Sequence, residues 1–101
     1  MFIKYPIILI GDGELCKYKK LSDFEEDIEC YDIDNFKVYD SIYKELEIYK
    51  KDKYCRVSVK IKEKANRYKD FKQLIKEYMD DYEIKHDIET FIKNIPVYPD
   101  C

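Results

Sequence analysis

Tryptophan is absent from this 101-residue sequence, and glycine and proline occur only two and three times. So little of either excludes a collagen-like chain or a flexible linker. Histidine occurs once, as His86, with no nucleophile or carboxylate pattern around it that would make it a general base; it reads as an exposed loop residue. Of 19 basic residues only Arg56 and Arg67 are arginine, which weakens any bidentate recognition of phosphate or guanine. No apolar run approaches the roughly eighteen residues of a membrane span. The run Ile7-Ile8-Leu9-Ile10 is bounded by Pro6 and by Asp12 and Glu14, without a small-residue cleavage pattern. The expectation is a cytoplasmic chain that makes no membrane contact.

What is present is aromatic and charged: eleven Tyr, five Phe, and 41% charged residues. The aromatic area is enough for one hydrophobic core, so residues 1–101 are read as a single domain. Cys16, Cys30, Cys55 and Cys101 match neither a zinc knuckle nor a redox pair by spacing. In a secreted chain they could form two disulfides. In the cytoplasm Cys55 reads as core, Cys16 and Cys30 as ordinary thiols and Cys101 as a tail residue.

Periodicity gives the elements. Ile7 to Ile10, apolar on both faces, predicts a strand inside a sheet, and Gly11-Asp12-Gly13-Glu14 predicts a hairpin returning through Leu15 to Tyr18. Ser22-Asp23-Phe24-Glu25 has the form of a capping box opening a short helix that ends near Glu29 or Cys30. Period two then marks three strands, around Phe36 and Val38, Leu46 and Ile48, and Cys55 to Ile61, with Glu45, Glu47, Tyr49, Arg56 and Lys60 on a wet face. Tyr68, Phe71, Leu74, Ile75, Tyr78 and Tyr82 predict the longest helix. Ile84, Ile88, Phe91, Ile92 and Ile95 predict another after a break at Glu83 to Asp87, and Pro96 and Pro99 should leave an extended tail. The fold class is α+β: a single, mostly antiparallel sheet of about five strands in β-β-α-β-β-β-α-α order, with helices packed on one face.

Gly11-Asp12-Gly13 lacks the lysine, hydroxyl and spacing of a phosphate loop. Asp32 and Asp34 do not begin a calcium loop, because the sixth position is Lys37 and the twelfth Tyr43. No catalytic residue, metal site or cofactor is expected, and the chain is not read as an enzyme.

Charge is segregated along the chain. Residues 21–36 contain Asp23, Glu25, Glu26, Asp27, Glu29, Asp32 and Asp34 and no basic residue, whereas residues 44–76 contain twelve basic and five acidic residues. The acids can be a solvated face. Alternatively, with Tyr31 and Tyr39 as aromatic anchors, they are a docking surface for a cationic protein. A competing reading takes Tyr49, Arg56, Lys60 and Lys62 as a platform for single-stranded RNA; the net charge of −3 and the lack of a recognition motif argue against it.

Several segments carry a resemblance: the acidic helix opened by Leu21-Ser22-Asp23, the link Ile28-Glu29 to Asp32-Ile33-Asp34-Asn35, and Val38-Tyr39-Asp40-Ser41 leading to Leu46-Glu47-Ile48. Over residues 5–48 the chain resembles small bacterial immunity proteins of polymorphic, contact-dependent growth inhibition toxin systems. It departs from that pattern at Ile42-Tyr43, where a glycine is expected. The resemblance implies a stoichiometric inhibitor that covers the active site of a cognate toxin, such as a basic C-terminal nuclease domain, through the acidic surface. A phage-type inhibitor of a host nuclease would carry the same surface.

Overall fold

The computed structural model describes residues 2–95; the expected tail at Pro96 and Pro99, and Cys101, lie outside these. Five strands, β1 (Ile7–Gly11), β2 (Glu14–Tyr18), β3 (Lys37–Tyr39), β4 (Lys44–Lys50) and β5 (Val57–Asn66), form one antiparallel sheet in the order β2-β1-β3-β4-β5. Helix α1 (Leu21–Asp27) and a 3₁₀ segment (Cys30–Asn35) lie between β2 and β3, and α2 (Tyr68–Asp81) and α3 (Ile88–Asn94) follow β5. The α+β class and the element order are those expected.

The β1–β2 hairpin turns on Asp12-Gly13, both at positive φ (49° and 75°), the turn whose twist suits paired strands. It sets Ile7 opposite Tyr18 and Gly11 opposite Glu14. From that register, Ile7 and Leu9 face one way with Tyr18, Val38, Leu46, Ile48, Val57 and Val59, and are covered by Phe24 and Ile28. Ile8 and Ile10 face the other way with Tyr39, under Phe71, Ile75 and Met79 of α2 and Phe91 and Ile92 of α3.

The helical cover therefore lies on both faces of the sheet, which corrects the expectation of helices on one face. All four residues Ile7 to Ile10 are buried, and a strand apolar on both sides must be covered on both sides. Because α2 and α3 stop short of β4 and β5, Glu47, Tyr49, Lys60 and Lys62 remain exposed on that face. The wet face is real, but it is confined to this half of the sheet.

The capping of the helices also differs from expectation at α1. Helix α1 begins at Leu21 with Lys20 as its N-cap and no side-chain capping bond, so Ser22 sits inside the first turn. Leu21 packs on the core as a helical residue, which moves the start ahead of the serine. The capping side chain is instead Asp87, which accepts from the Thr90 amide at 3.1 Å and opens α3.

Candidate functional site

The spacing of Phe24 and Ile28, both buried, decides which way α1 points its charges: one helical turn apart, they leave Asp23, Glu26 and Asp27 exposed. Asp23 suits the helix N-terminus, but Glu26 and Asp27 occupy the last turn, where no basic residue offsets them and the helix dipole opposes negative charge. Asp23 and Asp27 also repel each other at four-residue spacing. Such an arrangement does nothing for helix stability.

The 3₁₀ segment continues the acidic surface. It has no buried residue; Glu29, Tyr31 and Asp34 are exposed and Asp32 is half-buried. Tyr31, at 77% exposed, offers its ring to solvent, whereas Tyr39 is 2% exposed and packs edge-on against Phe71. Tyr39 is therefore not a partner anchor, contrary to the sequence-based expectation: α2 covers the face of β3 that alternation alone left open.

Among the described residues, only one of the seven acids forms an ion pair. Glu25 Oε2 lies 3.3 Å from Lys51 Nζ. Asp27 has a neutral partner, accepting a hydrogen bond from the Tyr18 hydroxyl at 2.5 Å. Asp23, Glu26, Glu29, Asp32 and Asp34 have no ion-pair partner there.

The basic half is organised in the opposite way. Lys60 pairs with Glu47 at 3.8 Å, and Lys37 and Lys62 pair with Glu45 at 3.7 and 3.2 Å. Arg67 is bidentate on Glu63 and Arg56 reaches Asp52. The Asp52 carboxyl is held below its usual range by the Tyr54 amide and by Arg56. Rings on this side already carry the chain's own cations: Lys60 lies 5.4 Å from the Tyr49 centroid, and Lys53 5.2 Å from that of Tyr54. A platform for nucleic acid needs free cations and free ring faces, and here Tyr49, Arg56, Lys60 and Lys62 are each engaged within the chain.

The acidic segment is fastened at one point. Cys30, at the start of the 3₁₀ segment, is disulfide-bonded to Cys55 in the β4–β5 connection, with Cα atoms 4.9 Å apart, and the Cys30 amide donates to Cys55 Sγ at 3.1 Å. Cys16 is disulfide-bonded as well. Reading these residues as thiols and core is thereby corrected. A sequence separation of 25 carries no pairing signal, and only the packing of α1 beside β5 brings the two sulfurs together.

Sequence reasoning also missed the part played by Asp40. It is fully buried and binds the amides of Lys4, Ile42 and Lys44 together with the Lys44 ammonium. The available signal was an Asp at the first position of a turn, where its side chain can bind the amides that follow. Asp40 is structural, because nothing outside the chain reaches it. His86 is exposed, and no group of metal-ligating side chains occurs among the described residues.

Two phenols provide a check on the packing. Burial, reinforced by Glu45, pushes Tyr39 from 10.0 up to about 12; the hydrogen bond to Glu89 does the same to Tyr68, also to about 12. Both favour the neutral form in the folded state. Their stabilisation is complete below pH 10 and is lost as the pH rises toward 12. An absorbance titration should find both phenols still protonated at about pH 11 in the native protein and titrating near 10 in urea. Ionisation of all tyrosines together near 10 in the native protein would contradict this packing.

No family model, curated protein or solved structure matches this chain.

Proposed function

We propose that this chain is a stoichiometric binding protein of the immunity type, which neutralises a cationic toxin domain by laying the surface of α1 and the 3₁₀ segment over the toxin's active site. The observation that carries this reading is the asymmetry of charge compensation: among the described residues seven of the twelve basic residues between Lys44 and Lys76 are ion-paired, while six of the seven acids between Asp23 and Asp34 have no ionic partner. A clustered, uncompensated negative potential raises the encounter rate with a positive partner and orients it before contact. Tyr31 is the exposed aromatic placed to anchor that contact. The chain performs no reaction in this proposal and needs no cofactor. No helix among the described residues is long and apolar enough to cross a membrane.

The residues that matter are Asp23, Glu26, Glu29, Asp32 and Asp34. Glu25 and Asp27 also serve the fold, through Lys51 and Tyr18, so reversing them would confuse docking with stability. The triple variant Glu26→Lys, Glu29→Lys, Asp34→Lys should associate at least about tenfold more slowly with the C-terminal toxin domain encoded by the adjacent upstream gene, at low salt. Its rate should also depend less on ionic strength. A variant that associates as fast as the native chain would remove this surface from the interface. A phage-type inhibitor would use the same acids, and phage structural genes in place of an upstream toxin gene would identify it.

A cytoplasmic site of action is the remaining part of the proposal, and it meets the Cys30–Cys55 bond directly, since cytosolic thiol pools keep such pairs reduced. The state of that bond then bears on the surface itself.

A further inference from the structure

We propose that the Cys30–Cys55 disulfide is a redox latch on the acidic surface. Oxidised, it clamps the 3₁₀ segment to the β4–β5 connection; reduced, it releases that segment while the sheet stays folded. The proposal concerns regulation of the surface described above and takes its functional meaning from that reading.

The argument starts from how little else holds the segment. None of Cys30 to Asn35 is buried, and no side chain caps the segment's start. The Asp32 amide bonds only to Glu29 nearby. Its ties to the rest of the chain are its packing along β4, the half-buried Ile33 and Cys30 against the core, the close approach of the Asn35 carbonyl to Gly11, the Cys30 amide on Cys55 Sγ, and the disulfide. The last two both depend on Cys55. That residue sits at φ 66°, a backbone conformation an L-residue adopts only when held there.

Opening the latch has a driving force and leaves most of the fold intact. Glu29, Asp32 and Asp34 repel their acidic neighbours on α1, so a freed segment moves away from them. The core between the sheet and α2–α3 contains no residue of the segment. Both cysteines are half-buried, within reach of a thiolate. A dithiol reductant attacks one sulfur to give a mixed disulfide, and its second thiol resolves it. Two electrons and two protons pass to Cys30 and Cys55, and the reductant leaves as its own disulfide. A loosened segment must then be ordered at the moment of binding, which lowers affinity without any loss of charge.

The test is ¹⁵N relaxation on the full chain, oxidised and after dithiothreitol, alongside the double variant Cys30→Ser, Cys55→Ser, in which the Cys16 bridge is retained. Order parameters of residues 31–36 should fall from about 0.85 to below about 0.6 on reduction and in the variant. Those of β1 and β3 should stay near their oxidised values. A segment that remains rigid makes the bond a passive brace, and collapse of the whole spectrum makes it a global staple; either overturns the latch. Binding of a nine-residue arginine peptide at low salt, followed by anisotropy, should weaken severalfold once the segment is released. Release with undiminished peptide binding would leave the latch in place but overturn the segment as the docking surface.

Discussion

Replacing Asp40 with alanine is expected to lower the free energy of unfolding by about 3–5 kcal/mol, the cost of removing one partner from a buried ion pair. The carboxylate is fully buried. Its Oδ1 accepts from the Lys44 and Ile42 amides at 2.9 and 3.1 Å, and its Oδ2 accepts from the Lys4 amide at 3.3 Å and faces the Lys44 ammonium at 3.6 Å. Alanine would leave three amide donors without that acceptor, together with a buried cation whose one remaining partner among the described residues is the Phe2 carbonyl at 3.2 Å. The same carboxylate orders the turn into β4, where Tyr43 adopts φ 66° at the position expected to be glycine. That conformation disfavours a side chain by about 1–2 kcal/mol. The offset comes from the Tyr43 ring, packed 4.8 Å from Tyr68 and 5.1 Å from Phe71 between centroids. Urea unfolding measures the effect. The pair Asp40→Ala, Lys44→Met should recover part of the loss, because no cation is left unpaired. A single-variant loss below about 1 kcal/mol would show that the carboxylate is not the hub described here.

Substituting Gly11 with alanine is expected to destabilise the chain by about 2–4 kcal/mol, from overpacking combined with backbone strain. A β-carbon at this position would lie 2.3 Å from the Asn35 carbonyl oxygen and 3.1 Å from Phe36 Cα. Both are backbone atoms and cannot rotate away. The φ of 145° is also one that L-residues avoid. Relief requires the end of the 3₁₀ segment to shift, so the variant should also lose affinity for a partner that reads that segment. Gly13→Ala is the control. There the nearest atom is the Tyr82 hydroxyl oxygen at 3.3 Å, the end of a side chain, and the expected loss is only about 1 kcal/mol. Equal losses from the two substitutions, measured by urea unfolding, would mean that positive φ alone sets the effect and that contact with Asn35 contributes nothing.

Wherever a signal was local, it could be read along the chain. Alternation located β3, β4 and β5, the three-to-four spacing from Tyr68 located α2, and Asp12-Gly13 located the hairpin. The acidic run from Asp23 to Asp34 was visible as composition. Even the cover on both faces has a local sign in the unbroken run Ile7 to Ile10, which needs an apolar element over each face. What could not be read depended on which distant element lies over a given face. Tyr39 and Tyr49 stand on the same side of the sheet, yet Tyr39 is buried because α2 crosses β3, and Tyr49 is not because α2 ends short of β4. Cys30 with Cys55, and Asp40 with Lys4, likewise meet only after the sheet has assembled.

The sequence by itself determined the strands, the helices and the segregation of charge, because each is set by neighbours within a few residues. The tertiary structure alone decided which charges are neutralised: cross-strand pairing brings glutamates to Lys60 and Lys62 of β5, while among the described residues most acids of α1 and the 3₁₀ segment meet no cation. Charge compensation depends on distances of a few ångströms between residues far apart in the chain, and periodicity carries no record of those.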